Sequence, residues 1–314
     1  MNIAKVRTAL LCGVLAVAMA LAACGNTAAP KKVSQNKKQA STPAAIEGLQ
    51  KDGVLTVGIL SSSTTPFVME TSSSTTGLDI DLAHSLANEL GLKVAFVTVE
   101  DTLDGLAQGC DVVMNATADK NKDFEVIGHY ADSATAFFHK GPTTVVKSDD
   151  LKDKSVGVQD SSSAQRALRI TDFNASENSY RNLGRAFGAL EVGTIDYVLC
   201  HTTTGAYLCT RYKDASFAGT LSEPVANGIA VVNSNDSVCK AVREGYERLE
   251  KNGVLAEVRR CWLGDMPLLS SKSQIAGIPM KKTTGESLES LSADVEAINT
   301  RMDGSTAGAN AVTP

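Results

Sequence analysis

An α/β fold in two lobes is predicted for this chain by three observations. A strand–helix–strand alternation runs from residue 54 to 114, a second one runs from 155 to 251, and the segments outside them have compositions unlike a folded core. Such alternation favours a parallel sheet covered by helices. Two units of this kind in one chain leave a cleft between them, a usual seat for a small ligand. At 314 residues and 43% hydrophobic, the chain has enough material for both lobes. Its net charge of −5 holds no basic surplus, which argues against nucleic acid as a partner.

In the first unit, Val54–Ile59 alternates as a strand should, and Leu78–Leu90 carries apolar residues at helical spacing until Gly91 stops it. Lys93–Val99 reads as a second strand, and a short helix over Leu103–Ala107 leads to the apolar strand Asp111–Met114. In the second unit, strand Ser155–Gln159 precedes a helix from Ser162, and strand Ile195–Cys200 precedes a helix over Thr203–Tyr212. Strand Gly228–Val232 and helix Ser237–Lys251 close the pattern, with one more helix ending near Cys261.

The N-terminus has a different character. Lys5 and Arg7 precede an apolar run, Thr8–Ala20, too short to span a bilayer comfortably, so residues 1–23 read as an export signal. Leu21-Ala22-Ala23-Cys24 resembles a bacterial lipobox, which implies that Cys24 is lipidated and becomes the mature N-terminus, outside the cytoplasmic membrane. Residues 24–45 are poor in large apolar side chains and carry Lys31-Lys32 and Lys37-Lys38, the composition of a flexible tether that rests on anionic headgroups. At the other end, Leu288, Leu291, Val295, Ile298 and Met302 recur at helical steps, predicting a short amphipathic helix within a tail over 266–314.

With Cys12 in the signal and Cys24 lipidated, Cys110, Cys200, Cys209, Cys239 and Cys261 remain for an oxidising compartment. Cys239 near the start of one helix and Cys261 near the end of the next would meet if the helices pack antiparallel. A second pairing, Cys200 with Cys209, is weaker.

Ordered motifs carry a resemblance. Gly53-Val54-Leu55-Thr56-Val57-Gly58, Pro66-Phe67, Gly77-Leu78-Asp79-Ile80-Asp81-Leu82-Ala83 and Asp111-Val112-Val113 are followed by Asp150 to Gln159, Ala189 to Asp196, Asn227 to Val231 and Trp262-Leu263-Gly264. Over residues 46–265 this series resembles the family 3 solute-binding proteins of bacterial amino-acid ABC importers. The resemblance implies a two-lobed periplasmic-binding-protein-like (type II) Venus-flytrap with two interlobe crossovers, near Thr143–Val146 and Pro224–Asn227, closing on its ligand by hinge motion. Lobe 1 would comprise 46–143 and 226–265, and lobe 2 would comprise 144–225. The implied partners are a small polar solute, an amino acid or related compound, and an ABC transporter permease. No cofactor or metal is implied.

The same resemblance assigns ligand-contact positions, several of them altered. Where the family stacks an aromatic before the Pro-Phe pair ending in Phe67, this chain has Thr64 or Thr65. A Ser/Thr-rich turn leading to a carboxylate-clamping Arg corresponds to Asn115 through Asp123, with Thr117 in the turn. One alignment puts Lys122 at the Arg position, and the ungapped one puts Asp123 there. Ser162 and Ser163 stand where the family has hydroxyls at a helix N-terminus, a position suited to an anion and equally to plain capping. His201 replaces the acid that accepts the ligand ammonium and brings no fixed negative charge at neutral pH. These departures point away from an ordinary α-amino acid, or to a cleft retained for sensing or partner docking. A dehydratase of the cyclohexadienyl type resembles the same fold, but no residue here marks its acid chemistry.

Overall fold

Residues 45–118 and 123–281 are described by the structure, a computed structural model of the chain. The signal, the tether with Cys24, Lys122 and the 288–302 repeat lie outside the described residues. The elements follow in order: β1 (Val54–Leu60), the short pair β2 (Met69–Glu70) and β3 (Thr75–Thr76), α1 (Leu78–Glu89), β4 (Lys93–Val99), α2 (Thr102–Ala107), β5 (Val112–Thr117) and β6 (Phe124–Ser133). Next come β7 (Thr135–Lys140), β8 (Ser155–Gln159), α3 (Ser163–Ile170), β9 (Ser176–Tyr180), α4 (Leu183–Glu191), β10 (Tyr197–His201), α5 (Thr202–Cys209) and β11 (Ala215–Thr220). The chain continues through β12 (Val225–Val232), α6 (Asp236–Lys251) and α7 (Val254–Leu263).

Two five-stranded sheets result, in the orders β4-β1-β5-β12-β6 and β11-β7-β10-β8-β9. In the first, β1 runs parallel to β4 from Val54 opposite Lys93 to Leu60 opposite Val99, and β12 and β6 run antiparallel. Leu55, Val57, Leu82, Leu86 and Val242 are wholly buried between this sheet and the helices α1, α6 and α7, each contributing about 1.5–3 kcal/mol. In the second sheet the pleat sends successive residues to opposite faces. Phe137 and Leu199 join one core beneath α3, while Phe138 and Val198 join another with Phe187 of α4.

One glycine is dictated by geometry. Gly77 has φ 144°, and a Cβ there would sit 2.0 Å from the Phe67 carbonyl oxygen. Only a bare backbone lets Leu78 and Asp79 donate their N–H groups to the Pro66 and Phe67 carbonyls, which caps α1.

The boundary between lobes departs from the expected one. Strand β7, assigned to the first lobe when that lobe was closed at residue 143, belongs to the second sheet, paired with β10 and β11. Its Phe137 and Phe138 are needed by both cores there, so the chain leaves the first lobe at Ala134 and returns through residues 221–224.

A third connection was not expected. Beyond α7 the chain passes to the second lobe, where Leu269 and Ile275 are buried and Ile275 donates its N–H to the Thr220 carbonyl at 3.0 Å. Met280 then bridges Thr171, and the Lys281 N–H reaches the Ile170 carbonyl at 2.9 Å.

Cysteine pairing is also corrected, because all five described cysteines are free. Along the helices Cys239 lies about 20 Å before the α6–α7 turn and Cys261 only about 12 Å after it, so antiparallel packing leaves them at different heights. The Cys239 thiol donates to the Val232 carbonyl at 3.3 Å, and Cys261 is exposed. Cys200 and Cys209 both pack in the α4 core without bonding. Burial pushes the Cys209 thiol up to about 12 and Cys200 well above its usual value, which keeps both in the unreactive protonated form.

Candidate functional site

Strand direction decides where the lobes face each other. The carboxyl ends of β1, β4 and β5, together with the start of β12, form one rim, because Asn227 of β12 pairs with Thr117 of β5. In the second sheet the carboxyl ends of β8 and β10 lie beside the start of β7 and the end of β11, with His201 opposite Thr135 and Thr220 opposite Ala136. The short links at Ala134 and 221–224 join these same ends, so the two rims flank the hinge.

On the first rim, the loop after β1 holds Thr64, half-buried, and its carbonyl accepts the Phe67 N–H at 2.7 Å. Phe67 itself is 6% exposed and packs into the first-lobe core, so its ring anchors the loop. Asn115 adopts a left-handed backbone at φ 59°. Its N–H donates to the Tyr130 hydroxyl at 2.6 Å, and that hydroxyl donates to Asp79 Oδ1 at 2.7 Å. Thr117 is half-buried beside it. Asn227 is buried and accepts the Ser133 hydroxyl at 2.9 Å.

Asp79 is fully buried on α1, and loss of solvent pushes its carboxyl up to about 7 against the lowering effect of the Tyr130 hydrogen bond. Asp79, Tyr130 and Asn227 are separated by dozens of residues, and no local pattern in the sequence marks them as a set. The Gly77 to Ala83 motif contained the one available signal, an acid two residues past a glycine, among otherwise buried positions.

On the second rim, Ser162 is the N-cap of α3. Its hydroxyl accepts the Gln165 N–H at 3.1 Å and donates to the Gln159 carbonyl at 2.7 Å, so its capping capacity is spent within the lobe. Ser163 opens the helix and is half-buried. His201 contacts the Thr203 hydroxyl through Nδ1 at 2.9 Å, and desolvation pushes its imidazole down to about 4, although part of the ring stays accessible. It is therefore a neutral hydrogen-bonding group at physiological pH.

Of the two alternatives for the carboxylate clamp, Lys122 lies outside the described residues. Asp123 stands next to Phe124, which pairs with Val232, about 17 Å along β12 from Asn227. It is therefore remote from the rim.

Buried polar side-chain atoms without a protein partner are few among the described residues. Ser63 Oγ and Asn115 Oδ1 lie on the first rim, with Asp79 Oδ2 one hydrogen-bond step behind. Thr220 Oγ1 ends β11 on the second rim, and Arg166 Nε and Nη2 belong to the second turn of α3, which starts there. Each such group costs about 1–3 kcal/mol or more when left unpaired, which makes the elements that carry them candidates for contact with a polar ligand. Two cavities lie elsewhere. One of about 10 Å³ sits behind the hinge by Asp132, Thr202 and Arg259, and one of about 170 Å³ lies beside the far end of α3 by Arg169, Glu177 and Lys281.

Comparison with known proteins agrees with this fold. Residues 55–265 match the model of the bacterial extracellular solute-binding proteins, family 3. The chain is similar to the L-cystine-binding protein TcyJ of Escherichia coli strain K12, 24% identical over 276 residues that cover 84% of this chain and 98% of that protein. It is similar to the L-cystine-binding protein TcyA of Bacillus subtilis strain 168, 25% identical over 258 residues, 78% of this chain and 93% of that one. A polar amino acid ABC uptake transporter substrate binding protein from Streptococcus thermophilus shares the fold, with a TM-score of 0.59 at 18% identity over 72% of this chain and 92% of its own.

Proposed function

Because the chain belongs to the bacterial extracellular solute-binding proteins of family 3, we propose that it is the receptor of an ABC importer for an amino acid of the cystine type. It closes its lobes on the ligand and presents it to a membrane permease. The observation that carries this reading is the alignment of unpaired Ser63, Asn115, Thr220 and Arg166 atoms along two facing rims, in a chain whose relatives are named for L-cystine. The polar groups there are hydrogen-bonding ones, and among the described residues of the rims no acid–base pair stands poised for chemistry, which supports a binding rather than a catalytic role. Thr64, Thr117, Ser163 and His201 complete the proposed ligand surface.

No described helix is long and apolar enough to cross a membrane. On the lipobox-like Leu21-Ala22-Ala23-Cys24 we assign membrane attachment to a lipid on Cys24, and Cys24→Ala should move the protein from the membrane fraction to the medium or periplasm. The receptor reading is tested by thermal shift of the purified chain with L-cystine and other amino acids. A ligand present at a hundred times its Kd stabilises by about 2.7 kcal/mol. An unchanged melting point across the amino acids would reject the reading.

A further inference from the structure

The second lobe holds a positive charge that no described residue claims. Arg166 is half-buried, and its Nε and Nη2 are sealed from solvent without a partner. Among the described residues it is the only cation with such atoms. Its neighbour Arg169, in the last turn of the helix, is engaged in a two-pronged pair with Glu177 at 2.7 and 2.8 Å. Gln165 is equally occupied, with Ser161, Glu177 and Ser179. Arg166 alone on this helix keeps its fork of donors unused.

Position on the helix aims it. Arg166 lies three residues after Ser163 and four after Ser162, on the same face, and helical side chains lean toward the N-terminus. Its stem therefore runs back over the two serines toward the rim. An enclosed guanidinium without an acceptor is costly, and a carboxylate is the group whose planar oxygens satisfy it best.

We infer that Arg166 is a carboxylate-binding residue of the cleft, so that the second lobe takes hold of an acid group of the ligand. This rests on the receptor reading above and extends it to specificity. The ligand class is an amino acid with a carboxylate directed at α3, met across the cleft by the uncharged Asn115, Ser63 and Thr117. The neutral His201 leaves the ligand ammonium to be solvated by hydrogen-bond acceptors rather than by an ion pair.

Titration calorimetry of the purified full-length mature chain tests this, using L-cystine and cystamine, which shares the disulfide skeleton but lacks both carboxylates. L-cystine should bind, and cystamine should bind at least about tenfold more weakly. Arg166→Gln should weaken L-cystine by about ten- to a hundredfold, Arg166→Lys should lose less, and Arg169→Gln should leave affinity unchanged. In the same preparations, Arg166→Gln should raise the melting point of the ligand-free chain, since it removes a guanidinium two of whose nitrogens are sealed from solvent without a partner. Wild-type affinity in Arg166→Gln, or a lower ligand-free melting point, would overturn the assignment. If the wild-type chain ignores L-cystine, the amino-acid reading falls, and the ligand-free melting point of Arg166→Gln still decides whether the guanidinium is uncompensated.

Discussion

The two rims are built from opposite electrostatic materials. The first carries amides and hydroxyls backed by a buried acid, Asp79, which is held near neutrality by loss of solvent. The second carries an unpaired cation, Arg166, beside a neutral imidazole, His201. The first rim owes its shape to a relay from Asn115 through Tyr130 to α1, and the second to a capped helix start. One rim is organised from behind by a core network, and the other is organised locally. Substitutions should therefore spread damage through the first lobe and stay confined in the second.

The largest expected effect tests that contrast at its root. Gly77→Ala would drive a methyl into the Phe67 carbonyl and strain a positive φ, at a cost of more than about 4 kcal/mol, enough to unfold the first lobe in a denaturant titration. Tyr130→Phe comes next. It strips the acceptor of the half-buried Asn115 N–H and the donor to the buried Asp79, and should cost about 2–3 kcal/mol of stability by the same measurement.

The rims should also answer pH in opposite senses. Asp79 titrates near 7 when folded and near 3.8 otherwise, so between those values the folded chain holds the extra proton and stability falls as pH rises. His201 titrates near 4 when folded and near 6.5 otherwise, so over that window the unfolded chain holds the extra proton and stability rises with pH. The two slopes, each at most about 1.4 kcal/mol per pH unit, oppose each other from about pH 4 to 6.5. Asp79→Asn should leave a melting temperature that climbs across that range, and His201→Asn one that declines; matching profiles in both variants would contradict the contrast. The smallest effect belongs to the second rim: Ser162→Ala removes one cap and should cost about 1 kcal/mol in thermal unfolding, without propagating to the first lobe.

Much of the frame was legible in sequence because its signals are local. Strands Lys93–Val99 and Ser155–Gln159 appear with the expected bounds, and α1 and α6 begin within a residue of the predicted places. Strand β7 was misplaced because Thr-Ala-Phe-Phe-His-Lys buries both faces and shows no alternation. Strand β9, Ser-Glu-Asn-Ser-Tyr, is a polar edge strand with no apolar stripe to announce it. Among the candidate site residues, Ser162 and His201 could be placed at a helix start and a strand end because such positions leave marks in the sequence. Arg166 was passed over, since its isolation depends on what surrounds it in space and not on its neighbours in the chain. The Cys239–Cys261 pairing failed for a related reason: helix order was read correctly, whereas helix length sets the height at which two side chains meet.

The third connection between lobes gives the folded body a sense of direction. The chain enters through the first lobe, where Ile46 and Leu49 pack on the core and Gln50 donates its N–H to Asp111. It is last seen fastened to the second lobe, where Lys281 meets Ile170. The two ends of the described body thus lie on opposite sides of the hinge. A pair of fluorophores placed near residues 45 and 281 would read lobe rotation as a change in energy transfer, with the cleft left chemically untouched.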